Sequence, residues 1–214
     1  MNIQLALDRM TVAEAIQMAS RVKDDIQWIE VGTSLIKEFG VGSVEQIKTA
    51  FPNKVVVADI KTIDNATYEL EMCFQAGADV ATVMGVAPLV TIEKGLEVAQ
   101  KWNKEIMIDL LNTSSETQTK LVNYEAIFCS HVSKDEQEHK GAQNSPSLGH
   151  TELFQAGRKV AVAGGITLES LESMKDLAPY VVIVGSAITK AKDPESMAKR
   201  FHIIAAGRET NDKN

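Results

Sequence analysis

Eight times along the chain a short apolar run gives way to a longer amphipathic stretch, a rhythm that few folds accept. The apolar runs fall at 3–7, 26–31, 54–58, 80–83, 105–110, 126–130, 159–163 and 180–184. Between them, segments such as "TVAEAIQMASRV", "ATYELEMCFQAG", "TIEKGLEVAQKW" and "LESLESMKDLA" place apolar residues three and four apart, the period of a helix with one buried face. Strands that are apolar throughout suit a parallel sheet covered by helices. Eight such units in 214 residues predict an α/β chain folded as a single (β/α)8 TIM barrel over residues 1–207, with a polar tail, 208–214. A doubly wound open sheet is the competing arrangement. Its glycine-rich dinucleotide fingerprint is missing after the first strand, which reads "LALDRMT".

Composition removes several classes of function. The net charge of −7 and the lack of a basic stripe argue against nucleic acid as a partner. No apolar stretch approaches the roughly 20 residues that span a bilayer, and "MNIQLALDRM" lacks the charged lead and cleavage site of a secretory signal. Cys73 and Cys129 lack CxxC spacing, so a reducing cytoplasm is the expected compartment.

In such a barrel the site lies at the C-terminal ends of the strands. Read in order, these ends carry Asp8, Glu30, Asp59 with Lys61, Met84 with Gly85, Asp109, His131, Gly164 with Gly165, and Gly185 with Ser186. One charged residue at a strand end is ordinary; a series at successive ends converges on one mouth. Asp59 and Lys61 are two apart, so on an extended chain both point into the mouth while Ile60 points away. Taken alone, the pair could equally be a solvated ion pair. Asp64 precedes "NATYEL" and could simply cap the next helix. Asp8, Glu30 and Asp109 are oxygen donors of the kind that hold a hard cation such as Mg²⁺, or lone structural carboxylates. Zinc is less suited, because His131, His139, His150 and His202 show no ligand spacing. His131 follows "AIFCS" and is either a functional imidazole or a packed loop histidine. "VAGGI" (162–166) and "VGSAI" (184–188) fall after the seventh and eighth strands, where barrels of this kind often bind phosphate.

"LALD" (5–8), "IEVGTSLI" (29–36), "ADIKTID" (58–64) with its D-x-K-x-x-D pattern, "AGADVATVMGV" (76–86), "VAGGI" and "VIVGSAIT" (182–189) together resemble the orotidine monophosphate decarboxylase superfamily, nearest its 3-hexulose-6-phosphate synthase branch. The resemblance runs from Asn2 to about Ala206. It implies a barrel of the ribulose-phosphate-binding type and a reversible, Mg²⁺-dependent aldol condensation of formaldehyde with D-ribulose 5-phosphate through an enediolate. It assigns Glu30 and Asp59 to the metal, Asp8 to sugar hydroxyls, and His131 to proton transfer. Lys61 would donate to an enediolate oxygen and Asp109 would position substrate or water. The backbone at Gly164, Gly165, Gly185 and Ser186 would hold phosphate. Asp64 would reach across a homodimer interface into the partner's site. Three alternatives stand beside this reading: decarboxylation of 3-keto-L-gulonate 6-phosphate, a Schiff-base aldolase acting through Lys61, and a non-catalytic sugar-phosphate-binding barrel. "NTSSETQ" (112–118) and "HVSKDEQ" (131–137) depart from the synthase pattern, and Lys134 stands where the ketogulonate enzymes carry arginine.

Overall fold

The computed structural model describes residues 1–133, 135 and 151–207. Eight parallel strands close into a barrel in sequence order: β1 (Asn2–Leu7), β2 (Trp28–Val31), β3 (Val55–Thr62), β4 (Val80–Met84), β5 (Glu105–Asp109), β6 (Ile127–His131), β7 (Lys159–Ala163) and β8 (Val181–Val184). The ring is sealed by β8 against β1, with Val182 beside Ile3 and Val184 beside Leu5. The described helices are α1 (Val12–Val22), α2 (Thr33–Phe39), α3 (Gly42–Ala50), α4 (Ala66–Gln75), α5 (Leu89–Trp102), α6 (Ser115–Leu121), α7 (Thr151–Gln155), α8 (Leu168–Ser173), α9 (Ser186–Thr189) and α10 (Pro194–Ala205). Among the described residues no helix is long and apolar enough to cross a membrane.

Local chemistry sets several boundaries. Thr11 caps α1 and exchanges hydrogen bonds with Glu14 in a capping box. Asp193 caps α10, whose first residue is proline. The periodicity of "LESLESMKDLA" predicts one long helix. Instead α8 stops at Ser173 and a short 3₁₀ turn, Lys175–Leu177, follows, closed by Ala178 in the left-handed region.

Alternating strand residues build two separate apolar bodies. The larger lies between sheet and helices and includes Ile3, Leu5, Val31, Val56, Ile108, Phe128 and Val162. The smaller fills the barrel with Trp28, Val57, Val80, Met107, Ile127, Ala161 and Val181. Two residues further along each of four strands, the inward position becomes polar: Trp28 gives way to Glu30, Val57 to Asp59, Val80 to Thr82 and Met107 to Asp109. The apolar plug is therefore the floor on which a polar layer stands.

Strand β3 departs from expectation in a way that matters for this layer. Its apolar run ends at Ala58, yet the strand continues to Thr62. Ala58 pairs with Ala81 and Thr62 with Val83, so Asp59, Ile60 and Lys61 stand opposite the single residue Thr82. Such a bulge re-aims side chains locally.

Candidate active site

Four side chains from three strands are linked at the mouth. The Lys61 ammonium lies 3.0 Å from Asp59 Oδ1 and 2.8 Å from Asp109 Oδ2, and His131 Nδ1 lies 2.9 Å from the same Asp109 oxygen. The sequence expectation that Lys61 joins Asp59 holds, but for a different reason than simple alternation. Lys61 sits at φ 54°, in the left-handed region, which costs a residue with a Cβ about 1–2 kcal/mol. The kink turns the lysine into the mouth, while Ile60 packs against the outer apolar body.

Burial alone would depress the amine of Lys61, but the Asp59 and Asp109 carboxylates outweigh it and hold the ammonium well above its ordinary range. For Asp109, burial works against ionisation, yet the His131 and Lys61 contacts keep the carboxyl well below the usual range. Its other oxygen, Oδ1, accepts the Leu111 N–H at 2.9 Å. An ionised Asp109 can only accept, so the proton on His131 resides on Nδ1 and Nε2 keeps its lone pair.

Glu30 is buried beside this cluster. Burial and the negative charge of Asp59 push its carboxyl up to about 8. Gln4, fully buried on β1, donates Nε2 to Glu30 Oε2, while its own Oε1 has no partner. Asp59 accepts from Thr33 Oγ1 at 2.6 Å and Thr82 Oγ1 at 3.0 Å. Among the described residues no group of three or more acids, histidines or cysteines forms a ready metal cage. Two neighbouring carboxyls, one of them raised by burial and by the charge of the other, nevertheless fit Mg²⁺, which is held by one or two acids plus substrate oxygens and water.

Asp8 is anchored to the start of α2, its Oδ1 accepting from Ser34 N at 3.1 Å and Ser34 Oγ at 2.8 Å. A Cβ at Gly32 would lie 2.3 Å from the Asp8 carboxyl, so glycine makes room for it. Across the mouth, Gly164 and Gly165 have φ values of 98° and 66°, and Gly185 leads into Ser186 at the start of α9. Asp8, Glu30, Asp59, Lys61, Asp109, His131 and both glycine turns line one cavity of about 600 Å³. The structure thus assembles ten of the eleven residues anticipated from sequence.

Asp64 is the exception. It is exposed, does not line the cavity, and accepts the N–H of Asn65. It is not the helix cap either: Asn65 occupies that position, at φ 55°. Lys134, His139, His150 and the tail 208–214 lie outside the described residues. Sequence reasoning passed over Gln4, Thr33 and Thr82, which carry no formal charge and bind the acids from beside or below. Period-two alternation in "IQLALD" and "VATVM" holds the signal for Gln4 and Thr82.

The profile of the orotidine 5'-phosphate decarboxylase / HUMPS family matches residues 1–201, nearly the whole chain and every one of these site residues. The chain belongs to this family. A 3-hexulose-6-phosphate synthase of Bacillus subtilis is 35% identical over 97% of the chain and 100% of its own length. The crystal structure of the 3-hexulose-6-phosphate synthase from Salmonella typhimurium superposes with a TM-score of 0.91 at 33% identity, covering 98% of this chain and 100% of the other. KGPDC from Streptococcus mutans, solved with a sugar phosphate bound, superposes with a TM-score of 0.89 at 25% identity, covering 96% and 97% of the two chains. As a member of the family with relatives of this kind along its full length, the chain is an enzyme of the lyase type.

Proposed function

We propose that the enzyme condenses formaldehyde with D-ribulose 5-phosphate, reversibly, to D-arabino-hex-3-ulose 6-phosphate. The observation that carries this reading is the Asp59–Lys61–Asp109–His131 chain, which supplies a fixed cation beside a base. The chemistry requires removal of a proton from C1, next to the C2 ketone, and support of the resulting enediolate until C1 attacks formaldehyde. His131 Nε2 takes that proton, and Asp109 stabilises the imidazolium that forms. Lys61, held as an ammonium, donates to an enediolate oxygen. Asp8 holds sugar hydroxyls, and the backbone at Gly164, Gly165, Gly185 and Ser186 holds the phosphate, aligning the reacting carbon by remote binding. Glu30 and Asp59 would hold Mg²⁺, which when bound supplies Lewis-acid compensation for the negative charge developing on the substrate oxygens.

A Schiff-base route is disfavoured by the same geometry, because a nucleophilic amine must lose its proton and Lys61 is clamped between two carboxylates. Decarboxylation of 3-keto-L-gulonate 6-phosphate passes through a similar enediolate, and the likeness to KGPDC keeps it as the second reading. A homodimer belongs to the proposal. Ile63, Tyr68, Val86, Leu89 and Val90 are exposed apolar residues on the adjoining β3–α4 and β4–α5 units, and Asp64 follows Ile63. A second copy covering this face would bring Asp64 towards the partner's mouth.

The test follows formaldehyde consumption with D-ribulose 5-phosphate, with Mg²⁺ and again after EDTA. Metal-dependent consumption is expected. No consumption, together with CO₂ release from the keto-acid phosphate, would replace the reading with the second one.

A further inference from the structure

We propose that Thr82 is a positioning residue that holds Lys61 in its kinked conformation and sets where the ammonium points. Asp59, Ile60 and Lys61 stand opposite Thr82 alone, so the ladder hydrogen bonds that would otherwise secure this stretch are interrupted. The hydroxyl of Thr82 fills the gap from both sides. It accepts the backbone N–H of Lys61 at 2.8 Å and donates to Asp59 Oδ1 at 3.0 Å. One oxygen therefore ties the backbone of the lysine to the side chain of the aspartate with which that lysine pairs.

The conformation needs such a tie. Lys61 is left-handed without being glycine, and a residue in that region persists only where its surroundings over-determine it. Thr82 is buried and β-branched, so its side chain has few ways to turn aside. Its place in β4, level with Met107 of β5, is rigid. Without the hydroxyl, the Lys61 N–H loses its acceptor below the cavity floor and the kink can relax towards extended backbone. The ammonium would then swing away from Asp59 and Asp109. The effect falls on the group that supports the reacting charge and leaves the sugar and phosphate contacts in place.

The kinetic part of this proposal rests on the reaction proposed above; the structural part does not. Thr82→Val removes the hydroxyl at nearly constant volume, and Thr82→Ser keeps it. With formaldehyde and D-ribulose 5-phosphate, Thr82→Val is expected to lose about ten-fold in kcat, the weight of roughly one hydrogen bond, with KM for the sugar phosphate within about two-fold of wild type. Backbone amide exchange at Lys61 should accelerate in the same variant while other β3 amides keep their protection. Thr82→Ser should restore both. Normal Lys61 exchange in Thr82→Val would overturn the proposal, as would a Thr82→Ser variant as slow as Thr82→Val, which would mark a packing role for the methyl group. If Thr82→Val does not fold, Thr82→Ala is compared with Thr82→Ser by the same two readouts. If the wild-type chain turns over neither substrate, the reaction falls, and the exchange rate of the Lys61 amide still decides the role of Thr82.

Discussion

Replacing Glu30 with glutamine should make the protein more stable, and by an amount that grows with pH. In the folded chain the Glu30 carboxyl is pushed up to about 8 from an ordinary 4.5, by burial first and by Asp59 second. Below the lower value both folded and unfolded chains carry the proton, and the residue costs nothing. Between the two values the unfolded chain releases the proton while the folded chain keeps it, so stability falls as pH rises. Above the upper value the cost is complete. The gap from 4.5 to about 8, at about 1.36 kcal/mol per pH unit, sets a ceiling near 5 kcal/mol. Water entering the open mouth and a shift of charge onto Asp59 reduce this, so a difference of about 2–4 kcal/mol is expected. Glu30→Gln preserves shape and can still accept from Gln4, isolating the ionisation. Urea unfolding in EDTA at about pH 5 and about pH 8.5 measures it for both proteins. The advantage of the variant should widen by the stated amount across that interval, and Mg²⁺ added at the higher pH should narrow it by stabilising only the wild type. An advantage that stays flat with pH would refute the placement of an uncompensated carboxyl at this position.

Three further outcomes are expected. Gly32→Ala puts a methyl group onto the Asp8 carboxyl, which can swing away, so the melting temperature should hold while KM for the sugar phosphate rises about ten-fold; an unchanged KM would separate Asp8 from substrate. Asp109→Asn removes the acceptor shared by Lys61 and His131 and should lower kcat by about 10²–10³-fold, read by steady-state kinetics. Tyr68→Glu with Val90→Glu places charge on the exposed apolar face and should yield monomers in sedimentation, with loss of turnover if Asp64 acts across the interface.

How much of this was legible beforehand depends on the kind of information involved. The eight strands could be read because a parallel barrel buries both faces of each strand, leaving apolar runs with abrupt ends. Their ends located the acids because the fold places every strand terminus at one mouth. What the runs could not reveal was β3 beyond Ala58: a change from apolar to charged residues reads as the end of a strand, whereas the charges here face inward and the ladder resumes at Thr62. The left-handed turn at Lys61 leaves no mark in hydrophobic periodicity, because lysine has no special preference for it and the hydroxyl that stabilises it lies 21 residues away. Gln4, Thr33 and Thr82 were missed for a related reason. Their weight comes from the charged atoms that closure of the barrel brings against them, and a sequence read strand by strand contains no closure. Asp64 marks the opposite limit: a motif can name it, but one chain leaves it facing solvent, so its role is a property of an assembly. The charged residues of the site are thus written along single strands, while the arrangement that tunes them is written between strands.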